Sequence, residues 1–219
     1  MEFIDSIGYA VCHQIPERSL FIDGEQLPVC ARDTGLYIGS LLSLLFIVTT
    51  NRRNRNAIPV MYISFSFVFF MVLLAIDGLT SYFGIRETTN GIRLATGLLV
   101  GITLPFFMYP LMIDNILSPR TDQSILSRWY ELVLLLFLVA ASFLLIYRYN
   151  DFLFYPIIVL ITGGILLLHY LMIVTLVSFV LSHMNSAKVR KNLFITLPLS
   201  AVLLFGEMFL LHRLHHIIS

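Results

Sequence analysis

Cys12-His13 and Cys30-x-x-Asp33 are the residues of this chain best equipped for chemistry. Thiolate, imidazole and carboxylate are the ligand set of zinc, and Cys-x-x-Asp is a usable ligand spacing. Neighbours on a helix point apart, so Cys12 and His13 cannot easily ligate together. Cys12, Cys30 and Asp33 are therefore the metal candidates, and His13 is the candidate for moving a proton. The same two cysteines also fit a disulfide on an oxidising face, or two free thiols. The residues leave these alternatives open.

A second polar group surrounds Asp77, which stands inside a long apolar run. A carboxylate in a membrane helix costs about 2.5–3.5 kcal/mol and normally faces a partner inside the bundle. Arg93 is the partner the order of elements predicts. Arg93, Gly97 and Gly101 recur every four residues, setting a guanidinium above a seam of small residues where another helix can come close. Asp77 is thus either half of a structural pair or a ligand or general base in a pocket walled by Arg86, Asn90 and Arg93. Arginine forks match phosphate oxygens, and near a bilayer phosphate means a lipid head group. Arg18, Arg32, Arg86 and Arg93, with Asn90 among them, are the candidate substrate-binding residues; snorkelling to the interface is the plainer alternative. Farther on, Glu207 is flanked by apolar residues, and His212 and His216 stand at a zinc-ligand spacing with His215 between. Near a chain end such histidines are more often solvated. His169, in the middle of an apolar run, most simply bonds a neighbouring helix.

These groups need a scaffold, and the composition dictates one. Of 219 residues, 58% are hydrophobic and 12% charged, where soluble domains carry about 25% charge. The apolar residues fall in runs long enough to cross about 30 Å of hydrocarbon. The fold class is all-α: an integral membrane bundle of six transmembrane helices with an N-terminal extracytoplasmic interfacial helix and hairpin. The spans are predicted near 35–50, 57–83, 92–113, 128–147, 154–182 and 192–213, so residues 1–34 form a cap and 35–219 the six-helix domain. Phe3, Ile7 and Val11 give the first helix an apolar stripe. Asp23-Gly24 between two short apolar runs predicts a tight hairpin that returns Cys30 toward Cys12. Pro105 and Pro110 should kink the third span. Gly163-Gly164 should admit a close neighbour to the fifth. The acidic N-terminus lacks the pattern of a cleavable signal.

Orientation follows from Lys and Arg. Arg52, Arg53 and Arg55, then Arg120 and Arg128, then Lys188, Arg190 and Lys191 fall in the odd-numbered loops. That side should be cytoplasmic, holding ordinary solvated charge. Both termini and the cap then face outward from a multi-pass protein of the cell membrane. No basic block points to nucleic acid. The expected partners are membrane lipids, and the sequence sets no oligomeric state.

The segments CHQIPERS and LPVCARDTGLYIG resemble a family of uncharacterised bacterial and archaeal membrane proteins that share a domain of unknown function. The resemblance rests on Cys12, His13, Gln14, Pro16, Arg18 and Ser19, then Pro28, Cys30, Arg32, Gly35, Tyr37 and Gly39. It continues through Asp77, Gly78, Arg86, Thr89, Asn90, Arg93, Thr96 and Gly97. It covers about the first half of the chain. Asp33 departs from it, standing where the family pattern has a third cysteine. The resemblance implies that these segments act as one unit, and it brings no activity with it.

The leading expectation is an enzyme with an outward polar pocket, zinc its candidate cofactor. It would be a hydrolase or transferase acting on lipid or polyprenyl phosphate head groups. Cys12, Cys30 and Asp33 would hold the metal, His13 and Asp77 would move protons, and the arginines would grip anionic oxygens. No G-x-S-x-G, H-E-x-x-H or phosphate loop narrows the reaction. A transporter or channel using Asp77, His169 and Glu207 is the alternative, although no inverted repeat accompanies them. A structural or assembly protein with a disulfide-stabilised cap is the third.

Overall fold

A computed structural model describes residues 2–22, 24–53, 55–116, 123–148, 154–183 and 193–218. Helix α1 (Glu2–Val11) leads through a single 3-10 turn (Pro16–Arg18) into a hairpin of β1 (Ser19–Ile22) and β2 (Glu25–Cys30). Then come α2 (Ala31–Thr49), α3 (Met61–Tyr82), α4 (Asn90–Ile116), α5 (Trp129–Arg148), α6 (Phe154–His183) and α7 (Leu193–Ile218). Helices α2 to α7 are all long and apolar enough to cross a membrane. The hairpin turns where Asp23-Gly24 predicts it: Gly24 takes φ 78°, and Asp23 itself lies outside the described residues. The pairing Phe21↔Gln26 slips before Ser19↔Cys30, across the stretch that holds Pro28, which has no N–H to give.

Helix α2 starts before Gly35, where its apolar run begins. Cys30 is extended (φ −65°, ψ 161°) and stands at the N-cap, and Asp33 places a carboxylate in the first turn. A negative charge there is favourable against the helix dipole. Arg32 and Asp33 are thereby fixed on a rigid helix end.

Helices α2 and α4 form the centre of the bundle. More than half of each span is buried, against 6% of α7. Their contact is backbone on backbone. A Cβ at Gly97 would lie 2.0 Å from the Arg32 carbonyl oxygen, and one at Gly101 2.3 Å from that of Leu36. In return, Gly35 meets the Leu94 carbonyl and Gly39 that of Leu98. Two four-residue glycine repeats thus face each other. The second also resolves the proline problem. Helix α4 runs through Pro105 and Pro110 as one helix. Pro105 cannot donate to the Gly101 carbonyl, and the Ser40 hydroxyl donates to it instead at 3.2 Å. Ser43 donates likewise to Ile102 at 2.7 Å. Gly164 of α6 receives Tyr37 of α2 in the same way, whereas Gly163 faces open space.

The end of the bundle away from the cap departs from the expected solvated charge. Arg52 pairs with the buried Glu131, lies over the Phe46 ring at 5.3 Å and donates to the Ile125 carbonyl at 2.6 Å. Glu131 also accepts the backbone N–H groups of Ser127 and Arg128 at the head of α5. Ala57 bridges Ser124, so two loops close on each other and enclose the pair. Arg120, Lys188, Arg190 and Lys191 lie outside the described residues.

Gly97→Ala is expected to destabilise the protein by about 1–3 kcal/mol or more, because backbone cannot yield to the new methyl. Gly163→Ala, which meets nothing within 4 Å, should be neutral or slightly stabilising. Thermal unfolding in detergent, followed by helical circular dichroism, checks both. Equal midpoints for the two variants would refute the glycine contact.

Candidate functional site

The site is assembled from the cap inward. Gly8 lets α1 lie directly on β2, since a Cβ there would stand 2.1 Å from the Pro28 carbonyl oxygen. Gln14 then reverses the chain at φ 51°, a left-handed conformation uncommon outside glycine. Its side chain donates to the Pro28 carbonyl at 2.9 Å, and Gln26 donates to the Gln14 carbonyl at 2.7 Å. These bonds hold the 12–18 segment against β2 and bring Cys12 beside Cys30.

Both cysteines are free thiols. The Cys30 backbone N–H donates to the Cys12 sulfur at 3.2 Å, and the Cys30 thiol donates to Asp33 Oδ2 at 3.1 Å. One ligand atom from each of Cys12, Cys30 and Asp33 lies within 4.8 Å of the others. The two sulfurs are not equivalent. Donation from Cys30 lowers the Cys12 pKa against the opposing effects of burial and the Asp33 charge. Cys30 is pushed well up by its hydrogen bond to Cys12, by burial and by Asp33.

The triad opens on a cavity of about 260 Å³. Cys12, His13 and Arg18 line it from the cap, and Cys30, Arg32 and Asp33 from the head of α2. Gly78, Ser81 and Tyr82 close it from the end of α3, and Arg93 from the head of α4. Of the ten residues given catalytic, substrate-binding or metal roles in the enzyme reading, seven therefore line one hollow.

The other three lie elsewhere. Asp77 is buried behind the wall, 5% exposed, and pairs with Arg32 at 2.5 Å. This corrects the expected Asp77–Arg93 pair: Arg93 donates to the Ser81 hydroxyl at 3.2 Å instead. The glycine seam explains the exchange. It presses the Arg32 backbone onto Gly97, so the Arg32 side chain reaches Asp77 from α2. Asp77 is thus placed to position Arg32. Arg86 is exposed on the turn between α3 and α4. Asn90 spends its amide on the Ser19 carbonyl at 2.9 Å, tying the hairpin to α4.

The tail packs near the site without lining it. The His212 ring meets Tyr9 edge-on at 5.7 Å, and the side chains of His215 and His216 lie outside the described residues. His169 bonds the carbonyl of Ile165 on its own helix at 2.8 Å, rather than a neighbouring helix, and its ring centroid is 6.1 Å from that of Tyr37. Sequence reasoning missed Ser81, Tyr82 and the Arg32–Asp77 pair. The readable signal was Gly35 and Gly39, whose spacing matches Gly97 and Gly101 and names α2 as the partner of the seam.

Comparison with known proteins agrees with this unit. Residues 12–118 match a family described as "Predicted membrane protein (DUF2085)". An uncharacterized protein of Methanocaldococcus jannaschii is 34% identical over 119 residues, covering 52% of this chain and 74% of the relative. Another, from Methanothermobacter thermautotrophicus, is 36% identical over 97 residues, covering 43% of this chain and 80% of the relative. No solved structure matches the chain. The family match takes in the cysteines, the arginines, Asp77 and both glycine repeats, and it stops before α5.

A double-mutant cycle separates the two pairings of Asp77. Arg32→Gln and Asp77→Asn are expected to show a coupling of about 0.5–3 kcal/mol in unfolding free energy. Arg93→Gln with Asp77→Asn should be additive. The reverse pattern would restore the pairing expected from sequence.

Proposed function

The chain belongs to this family of predicted membrane proteins, and on that premise we propose that its cap-end cavity is an active site. The reading is a zinc-dependent hydrolase or transferase acting on the phosphate head group of a lipid or polyprenyl carrier. One observation carries it: a thiol–thiol–carboxylate triad and the guanidiniums of Arg18, Arg32 and Arg93 line a single hollow at the mouth of an apolar bundle.

The donor set fits zinc. Two sulfurs and a carboxylate oxygen within 4.8 Å of one another are in reach of one ion. Three protein ligands leave a fourth position open, as catalytic zinc sites do. The thiol proton shared between Cys30 and Asp33 is the kind that metal binding displaces. When bound, zinc supplies Lewis acidity and lowers the pKa of coordinated water. The remaining work falls to the protein. His13, exposed beside the triad, moves the proton. Arg18 and Arg93 hold phosphoryl oxygens, and Arg32 is oriented by Asp77. In this reading the cap faces the extracytoplasmic side of the cell membrane, as the Lys and Arg distribution favours.

The transport reading has less support. The hollow beside His169 is walled by apolar residues including Leu36, Leu104 and Met172. A structural cap stapled by a disulfide is disfavoured by the two free thiols.

Full-length protein purified without chelator should carry about one zinc per chain by elemental analysis. It should release phosphate from vesicles containing a polyprenyl diphosphate. Cys30→Ser should lose both the metal and the release while staying helical. Metal-free intact protein, or a Cys30→Ser variant with unchanged activity, would end the zinc-dependent reading.

A further inference from the structure

We infer that the cavity selects a phosphomonoester, a terminal phosphate with two negative charges, over a phosphodiester or a zwitterionic head group. The inference locates its ligand in the proposed active site but does not depend on turnover.

Two guanidinium forks in one hollow call for an anion with oxygens enough for both. Arg32 is matched by Asp77 at 2.5 Å and needs no further counter-ion. Asp33, in the same hollow, accepts the Cys30 thiol. Arg18 and Arg93 remain. Among the described residues neither has a carboxylate within ion-pair distance. Arg93 is 8% exposed, and its bond to Ser81 leaves most of its five donors unspent. Those donors face the cavity, where the oxygens of an anion would meet them. Arg18 and Arg93 line the same hollow from opposite elements, the cap and α4. A terminal phosphate offers three oxygens and, above its second pKa of about 6, two charges. That satisfies both forks. A phosphodiester has only two unesterified oxygens, enough for one fork.

The shared chemistry could come from a lipid or from free phosphate. The test uses the full-length chain in micelles at fixed salt and a pH of about 8, above the second phosphate pKa. Binding of dioctanoyl phosphatidic acid is compared with that of its methyl phosphodiester, with inorganic phosphate as competitor. The monoester should bind about tenfold or more tightly than the diester. Displacement by inorganic phosphate identifies free phosphate as a sufficient ligand; selectivity without displacement assigns the site to the lipid head group. Arg18→Ala, on the exposed turn, should remove the preference without disturbing the fold, and Arg93→Lys should weaken it while keeping the charge. Arg86→Ala should change nothing. Equal affinity for monoester and diester, an unaffected Arg18→Ala, or an equal loss in Arg86→Ala would overturn the inference. Cys30→Ser separates it from the proposed reaction. Selectivity retained there without turnover supports the arginine assignment alone, and selectivity lost with the metal overturns it. A wild-type protein that turns over lipid phosphate without discriminating would sink this inference and leave the reaction standing.

Discussion

The contact between the glycine faces of α2 and α4 is the constraint on which the rest of the molecule depends. In a bilayer there is little hydrophobic drive between helices, so association rests on close packing and on bonds between polar groups. Here Gly35, Gly39, Gly97 and Gly101 let two backbones touch. Ser40 and Ser43 then donate across the seam to carbonyls of α4, one of them orphaned by Pro105. The heads of both helices are fixed by that contact. Cys30, Arg32 and Asp33 at the start of α2 are therefore held at a set distance from Arg93 at the start of α4.

Polar chemistry follows from the same geometry. With α2 pressed onto α4, Arg32 meets Asp77 of α3, and a carboxylate that would be costly in hydrocarbon acquires a partner. Arg93 is left to Ser81 and the cavity. The cap completes the enclosure because Gly8, Gln14 and Gln26 dock its first helix and its hairpin together. At the other end, Arg52 and Glu131 fasten two loops, so the bundle is clamped at both faces.

The helices were legible because hydrocarbon thickness dictates run length, and Asp23-Gly24 located the hairpin turn. The convergence of the cap with the heads of α2 and α4 was also legible, since costly side chains cluster where they can be satisfied. Partner choice was not. The order of elements pointed to Arg93 for Asp77, and the seam that gives Asp77 to Arg32 depends on which two glycine faces meet. The first turn of α2 was hidden for a related reason. Hydropathy reads Arg32 and Asp33 as loop, whereas the helix dipole and the extended Cys30 draw them into the helix. The burial of Arg52 needed the pairing of two distant loops, and nothing in either loop announces it.

If the glycine faces set the spacing of α2 and α4, widening one of them must move the helices apart. Nitroxide labels at the exposed Leu45 of α2 and Leu111 of α4, in a chain with Cys12 and Cys30 replaced by Ser, read that spacing by double electron–electron resonance. One narrow distance is expected in the parent, and a longer or broader distribution in Gly97→Leu while it stays helical and membrane-inserted. An identical distribution in the two chains would mean that the seam does not hold the helices.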